Sequence, residues 1–317
     1  MNKSNEIKLV RVYDAPVKAV WEAWTDEDQV SQWWGPRGFS ITTHSKEIRT
    51  GGHWRLTMHG PDGVDYANVT NYLEVVPYKK LYYDHGGADE TKPLFRVTVN
   101  FSENAGNPNQ TIMDMSMVCP TPEAAEQTRK FIKMAGGEST WDRLAEFLEK
   151  RATGTETFVI NRSFDAPIDL MFEMWTDPEH FAKWLGPTGS TMEFIRPDIK
   201  PGGTSFYSMS MANGVKMYGR CEYLEIRKPD RIVYIQNFCD ENEKLTRHPM
   251  MSTWPAKMLT TVQLAEEGKK RTRVTVTWKC YGETPMEEMQ TFINAKPGVT
   301  QGWTGSFDKL EAHLENN

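Results

Sequence analysis

Residues 5–13 (NEIKLVRVY) alternate apolar and polar positions, the period of a half-buried strand. Asp14-Ala15-Pro16 then starts a helix, because proline is tolerated at the first helical position, where its missing N–H is not needed. Val17, Val20, Trp21 and Trp24 share one face at helical spacing. Thr25 to Asp28 has capping-box spacing and opens a second short helix, which Gly35-Pro36 ends. The same text returns 151 residues later: Asp165-Ala166-Pro167, a capping box from Thr176 to Glu179, and Gly186-Pro187. Trp24, Trp33, Trp175 and Trp184 recur with it and, with Trp34, read as residues that pack these helices onto a sheet. The chain is a tandem duplication.

Strand patterns follow in both copies. Gly51-Gly52 precedes HWRLTMH and Gly202-Gly203 precedes TSFYSMS. Pro61-Asp62-Gly63 and Asn213-Gly214 read as hairpin turns. The 151-residue shift persists through Tyr72-Leu73-Glu74 and Tyr223-Leu224-Glu225. LFRVTVNF (94–101) and TIMDMSM (111–117) complete the first copy, MLTTVQL (258–264) and TRVTVTW (272–278) the second, giving about six or seven antiparallel strands each. A closing helix is expected from about Pro122 to Lys150, broken at Gly136-Gly137, with Trp141, Leu144 and Leu148 on one face. In the second copy Trp303, Phe307, Leu310 and Leu314 recur at spacings of three and four. These patterns predict a first domain over 1–150, a second over 156–317, and a polar linker at 151–155. Between Tyr234 and Leu259 the second copy carries about a dozen extra residues, long enough to suggest a functional loop.

Composition narrows the class. With 38% hydrophobic residues, 11 Trp, 11 Tyr and 14 Phe in 317 residues, each copy is able to bury its own core. A formal net charge of -6 argues against a nucleic-acid partner or an anionic membrane surface. No window approaches a membrane span or a signal core. Cys119, Cys221, Cys239 and Cys280 are widely spaced and read as inert thiols, which fits a reduced, cytoplasmic protein. The pattern calls for no cofactor and no metal.

The DAP…WTD…W…GP opening, the Gly-Gly strand with its Pro-Asp-Gly turn, the closing GW…L helix and the stretch RHPMMSTWPAKMLTTV (247–262) resemble the SRPBCC (START/Bet v 1-like) superfamily. Within it they look most like the branch related to activators of heat shock protein 90 ATPase. The first copy departs from that pattern in lacking the RHP…WP segment, and Gly137 stands where the second copy has Trp303. The resemblance implies an α+β fold of two tandem helix-grip domains, each a curved antiparallel sheet wrapped around a long C-terminal helix. It also implies an apolar cavity between sheet and helix. Members bind hydrophobic small molecules, run cyclase, aromatase or hydrolytic reactions, or act as co-chaperones, so the fold leaves function open.

The inner sheet face is the leading candidate site. In the first copy Trp54, Met58, Phe95, Val97, Met113, Met115 and Met117 alternate with polar residues and face Trp141 of the closing helix. In the second the corresponding lining is Tyr207, Met209, Val276 and Trp278, with Trp254 from the extra segment and Trp303 and Phe307 from the helix. The expected function is binding of a hydrophobic or aromatic small molecule, with the second domain favoured. Two alternatives stand beside it: a chaperone-associated regulator with a chaperone as partner, and a cyclase, dehydratase or hydrolase working in the same cavity. For catalysis the candidates are His248, Tyr218 and Tyr223, although no catalytic template appears. His53 and His59 lie six residues apart on one strand, about 20 Å, too far to share a metal ion. His44, His85, His180 and His313 show no partner in sequence.

Overall fold

In the computed structural model, which describes residues 4–87, 92–134 and 138–316, each copy of the repeat forms one seven-stranded antiparallel sheet. The first contains β1 (Glu6–Tyr13), β2 (Ser40–Lys46), β3 (His53–His59), β4 (Asp65–Val76), β5 (Lys80–Gly86), β6 (Phe95–Asn104) and β7 (Asn107–Val118), in the order β1-β7-β6-β5-β4-β3-β2. The second contains β8 (Thr157–Phe164), β9 (Thr191–Arg196), β10 (Thr204–Ser210), β11 (Lys216–Arg227), β12 (Arg231–Cys239), β13 (Met258–Gly268) and β14 (Arg271–Cys280), in the order β8-β14-β13-β12-β11-β10-β9. All strands after the first form a hairpin meander, and the first strand pairs with the last. The chain must therefore cross from one sheet edge to the other after its first strand. Helices α1 (Val17–Thr25) and α2 (Glu27–Val30) make that crossing in the first copy, as the helices Ile168–Thr176 and Pro178–Trp184 do in the second.

Each crossing pair buries an apolar stripe against the sheet: Val20, Trp21 and Trp24 in one copy, Met171, Phe172 and Trp175 in the other. The cap of the second short helix is Asp26 or Asp177, one residue later than the capping-box spacing implies. Asp26 Oδ1 accepts from Gln29 N at 3.0 Å, and Asp177 Oδ1 from Glu179 N at 2.8 Å and His180 N at 3.1 Å. Thr25 and Thr176 instead donate to carbonyls one turn back, Trp21 O and Phe172 O. Pro16 and Pro167 likewise sit at the cap, with extended backbone, and not inside the helix.

The first copy closes with α3 (Pro122–Met134) and α4 (Ser139–Thr153); the expected break at Gly136-Gly137 lies outside the described residues. With α5 (Ile168–Thr176) and α6 (Pro178–Trp184) counted, the second copy closes with α7 (Met286–Leu314), a single helix that continues through Pro297. Gly137 also lies outside the described residues, and Trp303 has a different counterpart. Trp141 stacks on Trp24 at 5.4 Å just as Trp303 stacks on Trp175 at 6.1 Å, so Trp141 holds that place. Arg151 to Thr153, expected as linker, form the end of α4, and Gly154 caps it with φ 74°. The chain divides into two compact units, Met1–Gly154 and Thr155–Asn317.

Both sheets carry a bulge at the same point, Tyr72/Glu74 in β4 and Tyr223/Glu225 in β11, which leaves Leu73 and Leu224 exposed and bends the strand. No helix among the described residues is long and apolar enough to cross a membrane.

Candidate functional site

The two copies have the same framework and fill its interior differently. Across the second sheet, antiparallel pairing sets Tyr223, Tyr234, Thr260, Trp278 and Phe158 side by side on the inner face, one from each of β11, β12, β13, β14 and β8. The same row in the first sheet reads Tyr72, Tyr83, Val97, Met117 and Ile7. The adjoining row is Ser205, Cys221, Gln236 and Met258 in the second sheet and Trp54, Thr70, His85 and Phe95 in the first. Where the first copy uses an indole, a valine and a methionine, the second uses a serine, a threonine and a tryptophan.

Polar groups follow from those choices. Tyr207 lies flat over Gly219, where a Cβ would come within 2.3 Å of the ring, and its hydroxyl accepts from Gln236 Nε2 at 2.6 Å. Tyr223 Oη reaches Ser205 and Tyr234 Oη reaches Thr260 in poorly aligned hydrogen bonds, and Trp278 Nε1 finds no acceptor among the described residues. Burial pushes the hydroxyls of Tyr207, Tyr223 and Tyr234 and the Cys221 thiol well above their ordinary pKa values, so these groups stay neutral. Neutral donors over an aromatic floor suit an uncharged oxygen acceptor, not an anion or a metal.

The segment between β12 and β13 closes one end of this space. β12 runs to Cys239, so the first residues of the extra segment are strand and the loop itself spans 240–257. Asp240 caps its opening turn by accepting from Asn242 N and Lys244 N at 2.9 and 3.0 Å. Trp254 enters the core with 7% of its surface exposed, its ring 6.4 Å from Trp278 and 6.1 Å from Phe292 of α7. Outside, a cleft of about 440 Å3 lies between the start of β11 and the first arm of the loop, bounded by Lys216, Tyr218, Cys239, Thr246 and Arg247.

All fifteen residues expected to line a ligand lie in the two cores. Both sets are close-packed: Trp54, Val97, Met113 and Met115 are each no more than 2% exposed and Tyr207, Val276, Trp303 and Phe307 no more than 5%, and Trp34 fills against Trp54 at 5.0 Å. Met58, Phe95, Met117 and Trp141 pack at the margin of the first core, as Met209 and Trp278 do in the second domain. The residues that distinguish the second interior, Ser205, Cys221, Gln236 and Thr260, escaped the sequence reading. Comparing the two copies position by position, with Ser205 against Trp54, is the signal that finds them.

The three catalytic candidates do not come together. Tyr218 lies on the outer face, stacked on Phe206, while Tyr223 lies inside. His248 packs on Phe238 at 4.6 Å, and its Nδ1 accepts from Met250 N at 3.1 Å, so it is a loop-packing residue. Burial lowers its pKa. Other histidines gain partners that the sequence hid: His180 Nδ1 lies 2.9 Å from His313 Nε2, and His44, His53 and His59 bond hydroxyls of neighbouring strands. His85 stacks on Phe95 and meets Thr70 Oγ1 at 3.2 Å. Among the described residues no group of three or more His, Cys, Asp or Glu side chains is placed to hold a metal ion. All four cysteines are free.

Fold and site together define an α+β protein of two tandem helix-grip domains with aromatic interiors, of the SRPBCC type. The family model for activator of Hsp90 ATPase homolog 1-like protein matches residues 14–149 and 165–315, once in each copy, and the chain belongs to that family. Among solved structures, protein Ms6760 from Mycobacterium smegmatis is similar at 23% identity over 51% of this chain and 91% of that one, with a TM-score of 0.43. A protein from Arthrobacter aurescens shows 25% identity over 51% and 87%, with a TM-score of 0.44. The di-domain ARO/CYC BexL from the BE-7585A biosynthetic pathway spans 97% of this chain and 98% of its own at 13% identity and a TM-score of 0.37. No curated protein matches the chain.

Proposed function

We infer that the second domain binds a hydrophobic or aromatic small molecule carrying at least one oxygen acceptor, held between its sheet and α7. One observation carries this reading: Trp278 Nε1 is buried with no acceptor among the described residues, on the same inner face as the poorly aligned Tyr223–Ser205 and Tyr234–Thr260 hydroxyl pairs. A buried polar group left unpaired costs about 1–3 kcal/mol, and the first copy avoids that cost with Met117 at the place of Trp278 and has Val97 at the place of Thr260. Retaining an unpaired indole beside weakly paired hydroxyls in an aromatic interior makes sense where a ligand supplies the partners. Burying about 200 Å2 of apolar ligand surface there contributes on the order of 5 kcal/mol before association costs, which corresponds to weak or moderate affinity.

The test transplants the first copy's interior. Ser205→Trp with Tyr207→Leu reproduces the Trp54 and Leu56 pair that the same framework already accommodates. Titration with 1-aminoanthracene should show saturable fluorescence enhancement for the natural protein, and at least about a tenfold loss of affinity for the double variant with an unchanged far-ultraviolet spectrum. Equal binding by both proteins would sink the assignment.

A further inference from the structure

We propose that the loop 240–257 is the gate of the second-domain interior, with Trp254 as its plug and Glu288 as the latch that holds it shut. Glu288 sits in the first turn of α7, 7% exposed, and grips the loop at two points. Its Oε1 lies 2.7 Å from Arg247 Nη1, and its Oε2 accepts from Ala256 N at 3.2 Å. Arg247 in turn reaches Trp254 O at 3.4 Å, and Thr291 Oγ1, one turn further along α7, donates to Thr253 Oγ1 at 2.9 Å. One carboxylate thus ties together both arms of the loop that carries the Trp254 indole.

The first arm of the loop is fixed to the sheet: Glu243 pairs with Arg196 at 2.6 and 2.7 Å, Thr246 N donates to Phe238 O, and Leu245 bridges Cys239. The second arm offers the core little besides His248, Trp254 and Pro255: Met250 is 57% exposed, and Met251 is exposed too. The second arm, attached by the Glu288 and Thr291 bonds and one aromatic plug, opens locally at lower free energy than the strands it joins. Trp254 packs edge-on against Trp278 of the inner-face row and against Phe292 of α7, so its withdrawal uncovers Trp278. The first copy lacks the RHP…WP stretch altogether. The gate serves the binding reading above, yet its test needs no ligand.

Cys221 reports on the interior. Its thiol lies on the inner face, 4% exposed, while Cys119 lies 1% exposed in the first domain. Iodoacetamide labelling of the whole native chain, followed by peptide mass spectrometry, gives the rate at each cysteine. Glu288→Gln keeps the shape and removes the charge that holds Arg247. It should raise the Cys221 rate about tenfold, the change in opening equilibrium that follows loss of one charge-assisted hydrogen bond, and leave Cys119 unchanged. Arg247→Gln should do the same. An unchanged Cys221 rate in both variants overturns the gate, and so does an equal rise in amide hydrogen exchange along β13 and β14, which would mean destabilisation of the whole second domain. If the gate holds while 1-aminoanthracene fails to bind, the ligand assignment falls and the gate stands.

Discussion

Arg11 places a guanidinium on the inner face of the first sheet, its side chain fully buried, with Asp142 Oδ1 at 3.0 Å and the Tyr13 ring 5.6 Å away. Its Nε and Nη2 have no partner. The second copy moves this charge outward: Arg162 is 20% exposed and meets Asp308 and Glu311 at the surface. Removing one member of a buried pair strands the other charge, whereas replacing both with apolar residues is close to neutral. Arg11→Met should therefore cost about 3–5 kcal/mol in urea unfolding, and Arg11→Met with Asp142→Leu should recover most of it. A single variant as mild as the double would contradict this account. His85 makes a pH prediction. Burial lowers its pKa from 6.5 to about 4, so the folded chain refuses a proton that the unfolded chain accepts. Stability is complete above about pH 6.5, falls as pH drops from there towards 4, and levels off below. His85→Gln, which copies Gln236, should flatten that part of the melting temperature–pH curve; an unaltered slope would place the effect elsewhere.

Among the elements, strands were the most legible, because period-two alternation is set by residues next to each other and needs no distant partner. HWRLTMH and TSFYSMS are β3 and β10 to the residue. Helix starts were legible to within one position. Thr-Asp offers two capping side chains in succession, and only geometry decides that aspartate takes the amides while threonine bonds back along α1 or α5. Asp177→Ala should accordingly destabilise the second domain by about 1 kcal/mol, and Thr176→Ala by less, in thermal denaturation. The reverse order would return the cap to threonine. What sequence concealed depends on contacts far along the chain. Arg11 finds its carboxylate 131 positions away, and the match of Trp141 with Trp303 emerges only when each stacks on its own helix. The loop 240–257 showed itself by length. Its attachment to Glu288 did not, since nothing in the pattern of α7 sets that glutamate apart from Glu287.

At the level of the whole chain, duplication preserved a framework and let two interiors diverge. The first is a dense core of Trp34, Trp54, Val97, Met113 and Met115, and the second keeps hydroxyl, amide and indole groups among its aromatics. Core positions on the inner faces were legible in both copies. The divergence of the two interiors was not, because Ser205 and Thr260 look like ordinary strand residues until each is set beside Trp54 and Val97. The proposed function predicts one ligand per chain, despite two copies of the fold. Native mass spectrometry of the protein purified from its own host, followed by denaturing extraction, tests this most directly. The account predicts a single apolar, oxygen-bearing compound bound one to one and absent from the Ser205→Trp/Tyr207→Leu variant. Two ligands per chain, or a compound retained by that variant, would contradict it.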